Sequence, residues 1–407
     1  MKTFRSVSLD IISGFFNRPG KLTTLIDQHR QQKKWPATWH GQVQESVLGT
    51  IRLYQPIGDL LRSRLNKTPP PDIDRALHLA VYELFQMDSI PAYATVNSWV
   101  DEIKSRKPGL AGLANAVLNG ISREVKPEDF VKTWSENLPE WFGSDFEKVG
   151  TPASREDWTR YMSTRPVQWA VDWSDSEKLV RIEDVPAALQ SEAFLSGNQQ
   201  FIDHSSWLVA DYGYDPSSTS LIDACSGPGG KLIIWAKRSG TSLKTQAIDL
   251  NRGHLDRLKS NLKRLNVMGE VSVHQTDLMA FNPEEQVDTV LLDVPCTGSG
   301  VMNRKPDIRF NRSEKDLRDL ILLQRSFLDR VADWVRPQGR LVYSTCSVLW
   351  SENEQQILDF LSRRPDYKLE VNQAFREPAL VTHMGLRTAP QGRPLDGACA
   401  FILIRHA

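Results

Sequence analysis

Residues 220–231 read SLIDACSGPGGK. A short apolar run ends in a carboxylate and then breaks into a turn of small residues and a proline. The run has the length and composition of a buried strand. The turn lets a ligand approach the backbone closely, because glycine carries no side chain to block it. The same alternation continues downstream. TQAID (245–249), VSVHQ (271–275), VDTVLLD (287–293), GRLVYST (339–345) and ACAFILI (398–404) are further apolar runs. Helical patterns separate them, such as 252–266, where Leu255, Leu258, Leu262 and Leu265 share one face. Strands alternating with helices predict a doubly wound α/β domain with a largely parallel sheet, from about residue 201 to 407.

Upstream the period changes. Val43, Val47 and Ile51 lie four apart, as on one helix face. Ile73, Leu77, Ala80, Val81 and Leu84 repeat the pattern, as do Leu110, Leu113, Ala114, Val117, Leu118 and Ile121. PPPD at 69–72 interrupts it, with Asp72 expected to cap the next helix. Residues 1–125 are thus expected to form an all-α domain. Residues 126–200 are acidic and carry Trp134, Trp141, Trp158, Trp169 and Trp173. RPVQWAVDW (165–173) alternates like a strand, so this stretch is expected to be a small connecting domain of mixed character.

The composition bounds the function. The 407 residues hold 50 basic and 50 acidic side chains, but the excess runs from about +5 in 1–125 to about −6 in 126–200. A basic first segment is compatible with a nucleic-acid partner. No apolar run approaches the ~18 residues of a membrane span. The N-terminus MKTFRSVSLDIISGFF reads as the start of a helix, because Asp10 interrupts it and no small-residue cleavage site follows. Four cysteines and no export signal point to a reducing, cytoplasmic setting without structural disulfides.

The strand ends collect the polar chemistry. The turn Cys225, Ser226, Gly227, Pro228, Gly229, Gly230, Lys231 is no Walker A loop, since Leu232 follows the lysine where a hydroxyl is needed. A purely structural turn stays open as an alternative. Asp249 ends the second strand, 18 residues beyond Lys231, where an acid accepts from ribose hydroxyls. Asp277 follows the third strand and reads equally as a helix N-cap. Together these outline a nucleoside site with no grip for a triphosphate, and S-adenosylmethionine is the commonest such ligand. The fourth strand ends in DVPCTGSG (293–300) and the fifth in YSTCS (343–347). Neighbouring strand ends would bring Cys296, Cys346 and Asp293 to one pocket. Zinc fits poorly, because no histidine or further cysteine stands at ligand spacing. Cys399, inside ACAFILI, reads as core filler.

DACSGPGGK, DVPCTGSGVMNRKPDIRF and YSTCSVLWSENEQQI resemble, in order, the cofactor loop and the two cysteine motifs of the NOL1/NOP2/Sun family of RNA cytosine-5 methyltransferases. HGQVQESVLGTIRLYQPIGDLL, RALHLAVYELFQMDSIPAYATVNSWVDEIK and GLANAVLNGISRE resemble the NusB-like RNA-binding domain joined to it in bacterial Sun-type enzymes. The resemblance implies a Rossmann-like methyltransferase domain at 201–407 acting on RNA, most naturally small-subunit ribosomal RNA; separately, no metal is expected, and the protein is expected to be a monomer. It implies that Cys225 to Lys231 hold the methionine part of S-adenosylmethionine, Asp249 its ribose and Asp277 its adenine. It places Asp293 at cytosine recognition and beside the cofactor, Cys346 at the nucleophile, and Cys296 at product release. The family usually carries two alanines where this chain has Ser226 and Gly227. Arg304, Lys305, Arg309 and Arg312 follow the first cysteine motif and are expected to contact RNA phosphates, with a solvated helix as the alternative. The rival function is a catalytically silent RNA-binding factor of ribosome assembly.

Overall fold

The computed structural model describes all residues except 1–2, 133–137, 149–152, 268–269, 391 and 407. Trp134 lies outside the described residues. The chain packs as two compact units. One comprises Met1–Glu140, Ser154–Arg165 and Met302–Asn311; the other comprises Trp141–Ala153, Pro166–Val301 and Arg312–Ala407.

The first unit is helical: α1 (Phe4–Asn17), α2 (Leu22–Lys33), α3 (His40–Arg52), α4 (Tyr54–Arg62), α5 (Pro71–Gln86), α6 (Ala92–Arg106), α7 (Ala111–Glu124) and α8 (Pro127–Lys132). The apolar stripes become its core, with Val43, Val47, Ile51, Leu77, Leu118 and Ile121 fully buried. Two expectations shift. Leu113 is 39 % exposed, off the buried stripe of α7. Asp72 is not the cap of α5: Pro70 takes that place and Pro71 starts the helix, leaving Asp72 in the first turn, where its charge suits the helix dipole.

Residues 302–311 fold with these helices although they follow the cysteine motif at 293–300. Arg52 Nε donates to the Asn303 carbonyl at 2.8 Å. The Phe310 ring meets Phe15, Phe16 and Tyr54 edge-on, with centroids 5.5–6.0 Å apart. The stretch 126–200 is also divided: Ser154–Arg165 packs with the helices, and Pro166 onward with the second unit.

The second unit holds a small antiparallel sheet and a large mixed one. β1 (Gln168–Asp172), β2 (Lys178–Ile182) and β3 (Gln199–Phe201) make the small sheet, with β1 central. The large sheet contains β4 (Ser220–Asp223), β5 (Lys244–Asp249), β6 (Val271–Gln275), β7 (Val287–Asp293), β8 (Val335–Thr345), β9 (Tyr367–Glu370), β10 (Leu386–Thr388) and β11 (Ala398–Arg405). Its order is β10-β11-β8-β7-β4-β5-β6, with β9 also on β11. Strands β4 to β8 run parallel, while β9, β10 and β11 pair antiparallel. The predicted doubly wound sheet is therefore present, with an antiparallel edge. β7 is buried along Val287–Leu292, as a strand covered on both faces must be. The chain moves outward from β4 through β5 to β6, then returns to β7 on the other side. That reversal opens a crevice at the carboxyl ends of β4 and β7, where ligands bind in such sheets.

Candidate active site

Strand register builds the site. β7 and β8 pair Asp293 with Ser344, and β4 and β7 pair Asp223 with Leu291, so three carboxyl ends stand side by side. Ser344 and Cys346 are two residues apart and leave β8 toward one face. The loops after β7 and β8 then lock together. Gly300 N donates to the Cys346 carbonyl at 3.0 Å, and the Ser299 and Ser347 hydroxyls lie 2.9 Å apart. Only glycine fits at 300, because a Cβ there would stand 2.1 Å from the Gly397 carbonyl oxygen.

This arrangement brings Cys296 Sγ to 3.2 Å from Cys346 Sγ, both partly exposed. Asp293 lies beside them: its Oδ1 accepts from Ser344 Oγ at 2.7 Å and its Oδ2 from Lys231 Nζ at 2.5 Å. Burial works against the Lys231 ammonium, but the charge and hydrogen bond of Asp293 outweigh it and hold its pKa above the ordinary value. The same ammonium also attracts negative charge on Cys346. Lys231 thus links the glycine turn to Asp293 and the cysteine loops. The Cys296 thiol is pushed well above the usual range, first by its hydrogen bond to Cys346, then by burial, then by the charges of Cys346 and Glu352.

The glycine turn stands next to the cysteines. Gly229 has a left-handed φ of +92° and caps the helix Gly230–Ser239, a conformation that favours glycine. Asp249 Oδ2 accepts from Gly227 N at 2.9 Å and its Oδ1 from Asn251 N at 2.7 Å. Asp249 Oδ2 also meets His254 Nδ1 at 3.2 Å, so it is Oδ1 that keeps a second lone pair for a ligand hydroxyl. An alanine at 227 would put its Cβ 2.3 Å from His254 Cβ and 2.4 Å from Asp249 Oδ2, which accounts for the glycine here. Asp277 is exposed, and its Oδ1 accepts from Met279 N at 2.9 Å, so its visible work is the turn. Burial and the charge of Asp293 push Asp223 up to about 7. Burial and the neighbouring carboxylates raise Cys225, so it is no ready nucleophile. Cys399 is fully buried, and burial raises its thiol to about 12, as befits filler.

The basic stretch is divided between the two units. Arg304, Lys305 and Arg309 fold with the helical unit, and Arg312 with the other. Lys305 is exposed. Arg309 Nη2 donates to the Met162 carbonyl at 3.0 Å and its Nε is buried, which suits an anchor rather than a phosphate contact. Sequence reasoning did not single out Ser344, Asp223 or Glu352. Ser344 was within reach, since strand alternation puts it on the face of Cys346. The other two depend on partners distant in sequence.

Comparison with known proteins bears on this geometry. Residues 215–400 match the family model described as 16S rRNA methyltransferase RsmB/F, and residues 5–123 match the NusB family. The ribosomal RNA small subunit methyltransferase B of Shewanella oneidensis is 30% identical over 80% of each chain. The chain belongs to the RsmB/F family of rRNA methyltransferases. The methyltransferase of the same name from Vibrio vulnificus is 28% identical over 99% of each chain. The crystal structure of PH0851 shares the fold, with a TM-score of 0.70, 23% identity and 98% of each chain covered. The alignments cover 80% and 99% of these two methyltransferases. Among the described residues, no helix is long and apolar enough to cross a membrane, and no cluster of His, Cys, Asp and Glu is arranged to hold a metal.

Proposed function

We propose that the protein methylates carbon 5 of a cytosine in small-subunit ribosomal RNA, through a covalent bond between Cys346 and carbon 6 of the base. The carrying observation is the pair of thiols 3.2 Å apart beside the Lys231–Asp293 ion pair. Residues at the glycine turn suit S-adenosylmethionine: among the described residues, Gln200 Oε1 and Asp223 Oδ1 are buried without a hydrogen-bond partner, and glycines bare the backbone around them. Bound there, S-adenosylmethionine supplies an electrophilic methyl group. Gly227 to Lys231 would line its methionine end and Asp249 its ribose.

Carbon 5 of cytosine is a poor nucleophile by itself. Addition of the Cys346 thiolate to carbon 6 makes it enamine-like, and covalent catalysis divides one hard step into easier ones. Lys231 favours the thiolate by charge. Asp293, held by Ser344 and Lys231, faces the ring nitrogen that gains positive character during attack. After methylation the carbon 5 proton passes to a solvent water molecule, the electrons of that C–H bond re-form the ring double bond, and the carbon–sulfur pair returns to Cys346 as its thiolate. Cys296, within reach of the same sulfur, assists that release as acid or base. The target base must be unstacked to enter, at a cost of a few kcal/mol that single-stranded RNA lowers.

The test uses labelled cofactor and rRNA. Cys346→Ala should abolish methyl transfer, and Cys296→Ala should accumulate a protein–RNA adduct on a denaturing gel. Retained activity in Cys346→Ala, with loss in Cys296→Ala, would exchange the two roles.

A further inference from the structure

The two thiols are chemically identical and touch each other, yet the reaction asks opposite things of them. One must attack as a thiolate, while the other must not compete for that attack and acts only at release. The structure surrounds them asymmetrically. Glu352 is fully buried and follows the second cysteine loop by six residues. Its Oε1 accepts from Thr297 N at 2.8 Å and from Gln324 Nε2 at 2.9 Å, and its Oε2 accepts from Thr297 Oγ1 at 2.6 Å. Gln324 Nε2 also donates to the Pro295 carbonyl at 2.9 Å. Both peptide neighbours of Cys296 are therefore tied to one Glu352–Gln324 pair. All three groups on the carboxylate are neutral donors: a peptide N–H, a hydroxyl and an amide. They satisfy an acceptor-only anion without cancelling its charge. The cation of the site, Lys231, instead acts on Cys346.

We propose that Glu352 is the positioning residue of the releasing cysteine: it fixes the backbone on both sides of Cys296 and places a negative charge beneath it, so that the charge of the thiol pair sits on Cys346. The inference rests on the two-cysteine reading above. It adds what makes the two cysteines differ. A buried charge close to a thiol acts strongly because little water screens it. Thiolates, not thiols, react with alkylating agents, so the distribution of charge can be read directly.

Glu352→Gln separates charge from shape. The amide can still accept from Thr297 N and Gln324, and its Nε2 can donate to Thr297 Oγ1, which turns to accept. Iodoacetamide labelling at a series of pH values, followed by peptide mass spectrometry, reports Cys296 and Cys346 separately without RNA or cofactor. In the wild type, Cys346 should be alkylated in preference to Cys296 at neutral pH. In Glu352→Gln, Cys296 should react about tenfold faster at neutral pH, a one-unit fall in its midpoint. Glu352→Asp, which keeps the charge, should restore the wild-type profile. A merely structural role would leave the pH profile where it is. A Cys296 profile identical in wild type and Glu352→Gln overturns the proposal. Should Glu352→Gln fail to fold, equal or reversed reactivity of the two thiols in the wild type overturns it as well. Failure of the two-cysteine reading itself would show elsewhere, in the adduct and transfer assays with RNA.

Discussion

Asp223 shows how much one side chain can depend on its surroundings. It ends β4 at 2 % exposure, and burial with the nearby Asp293 charge raises its pKa to about 7, against ~3.9 in an unfolded chain. Between pH ~4 and ~7 the folded protein holds a proton that the unfolded chain has lost. Stability from this group is thus complete below pH ~4, falls as pH rises, and is gone above ~7. Asp223→Asn cannot ionise, so it should gain stability relative to wild type on going from pH 5 to pH 8, by on the order of a few kcal/mol. Urea unfolding at the two pH values checks it; an equal difference at both would refute the assignment. Asp223 also explains the limits of reading residues from sequence. Cys296 and Cys346 were legible because a thiol carries its chemistry in its type. Asp223 and Glu352 were not, because a carboxylate is unusual only through what buries it, and Glu352 meets partners 28 and 55 residues away.

At the level of elements, the apolar runs foretold β4 to β8 and β11, and the neighbouring ends of β7 and β8 were expected to meet. What joins them was not visible. The approach of the two cysteine loops relies on Gly300, which donates to the Cys346 carbonyl and accepts from Gly397 N at 2.9 Å. Its sequence context, TGSG, reads only as a flexible turn. In the structure the glycine is required because the Gly397 backbone would stand 2.1–2.7 Å from any Cβ at this position. Gly300→Ala forces backbone against backbone, and neither side can swing away as a flexible side chain would. Overpacking of this kind costs about 1–3 kcal/mol. The variant should therefore unfold at lower urea and lose most methyl transfer, since the sulfurs separate as the loops part. A variant with wild-type melting and wild-type turnover would show that the loops tolerate the shift. β9 and β10 escaped the sequence reading for a simpler reason: short edge strands carry little periodicity of their own.

At the scale of the whole molecule, the order of the chain and the order of packing disagree. The sequence suggested consecutive domains at 1–125, 126–200 and 201–407, because composition changes at those points. Packing instead gathers Ser154–Arg165 and Met302–Asn311 into the helical unit. Long-range contacts decide this, and composition holds no trace of them. One consequence is that the cysteine motif at 293–300 runs almost directly into a segment that packs with the helices. Another concerns what the helices need in order to be stable. Within their unit, Phe310 packs edge-on against three aromatic rings from α1 and α4, and the Asn303 carbonyl receives the Nε of Arg52, a residue 3 % exposed. Aromatic pairs contribute about 0.5–1.5 kcal/mol beyond their buried area, and loss of a buried charged group's acceptor adds about 1–3 kcal/mol. A fragment ending before residue 302 lacks both. It should melt at a lower temperature than the same helices in the full chain, and its α1 and α4 peptides should exchange backbone hydrogens faster. Phe310→Ala in the full chain should accelerate exchange in the same two helices while leaving β4 to β6 unchanged, because its aromatic contacts lie in α1 and α4. Hydrogen exchange read peptide by peptide distinguishes the cases. Unaltered protection of α1 and α4 in both the fragment and Phe310→Ala would mean that the helices stand without the inserted segment.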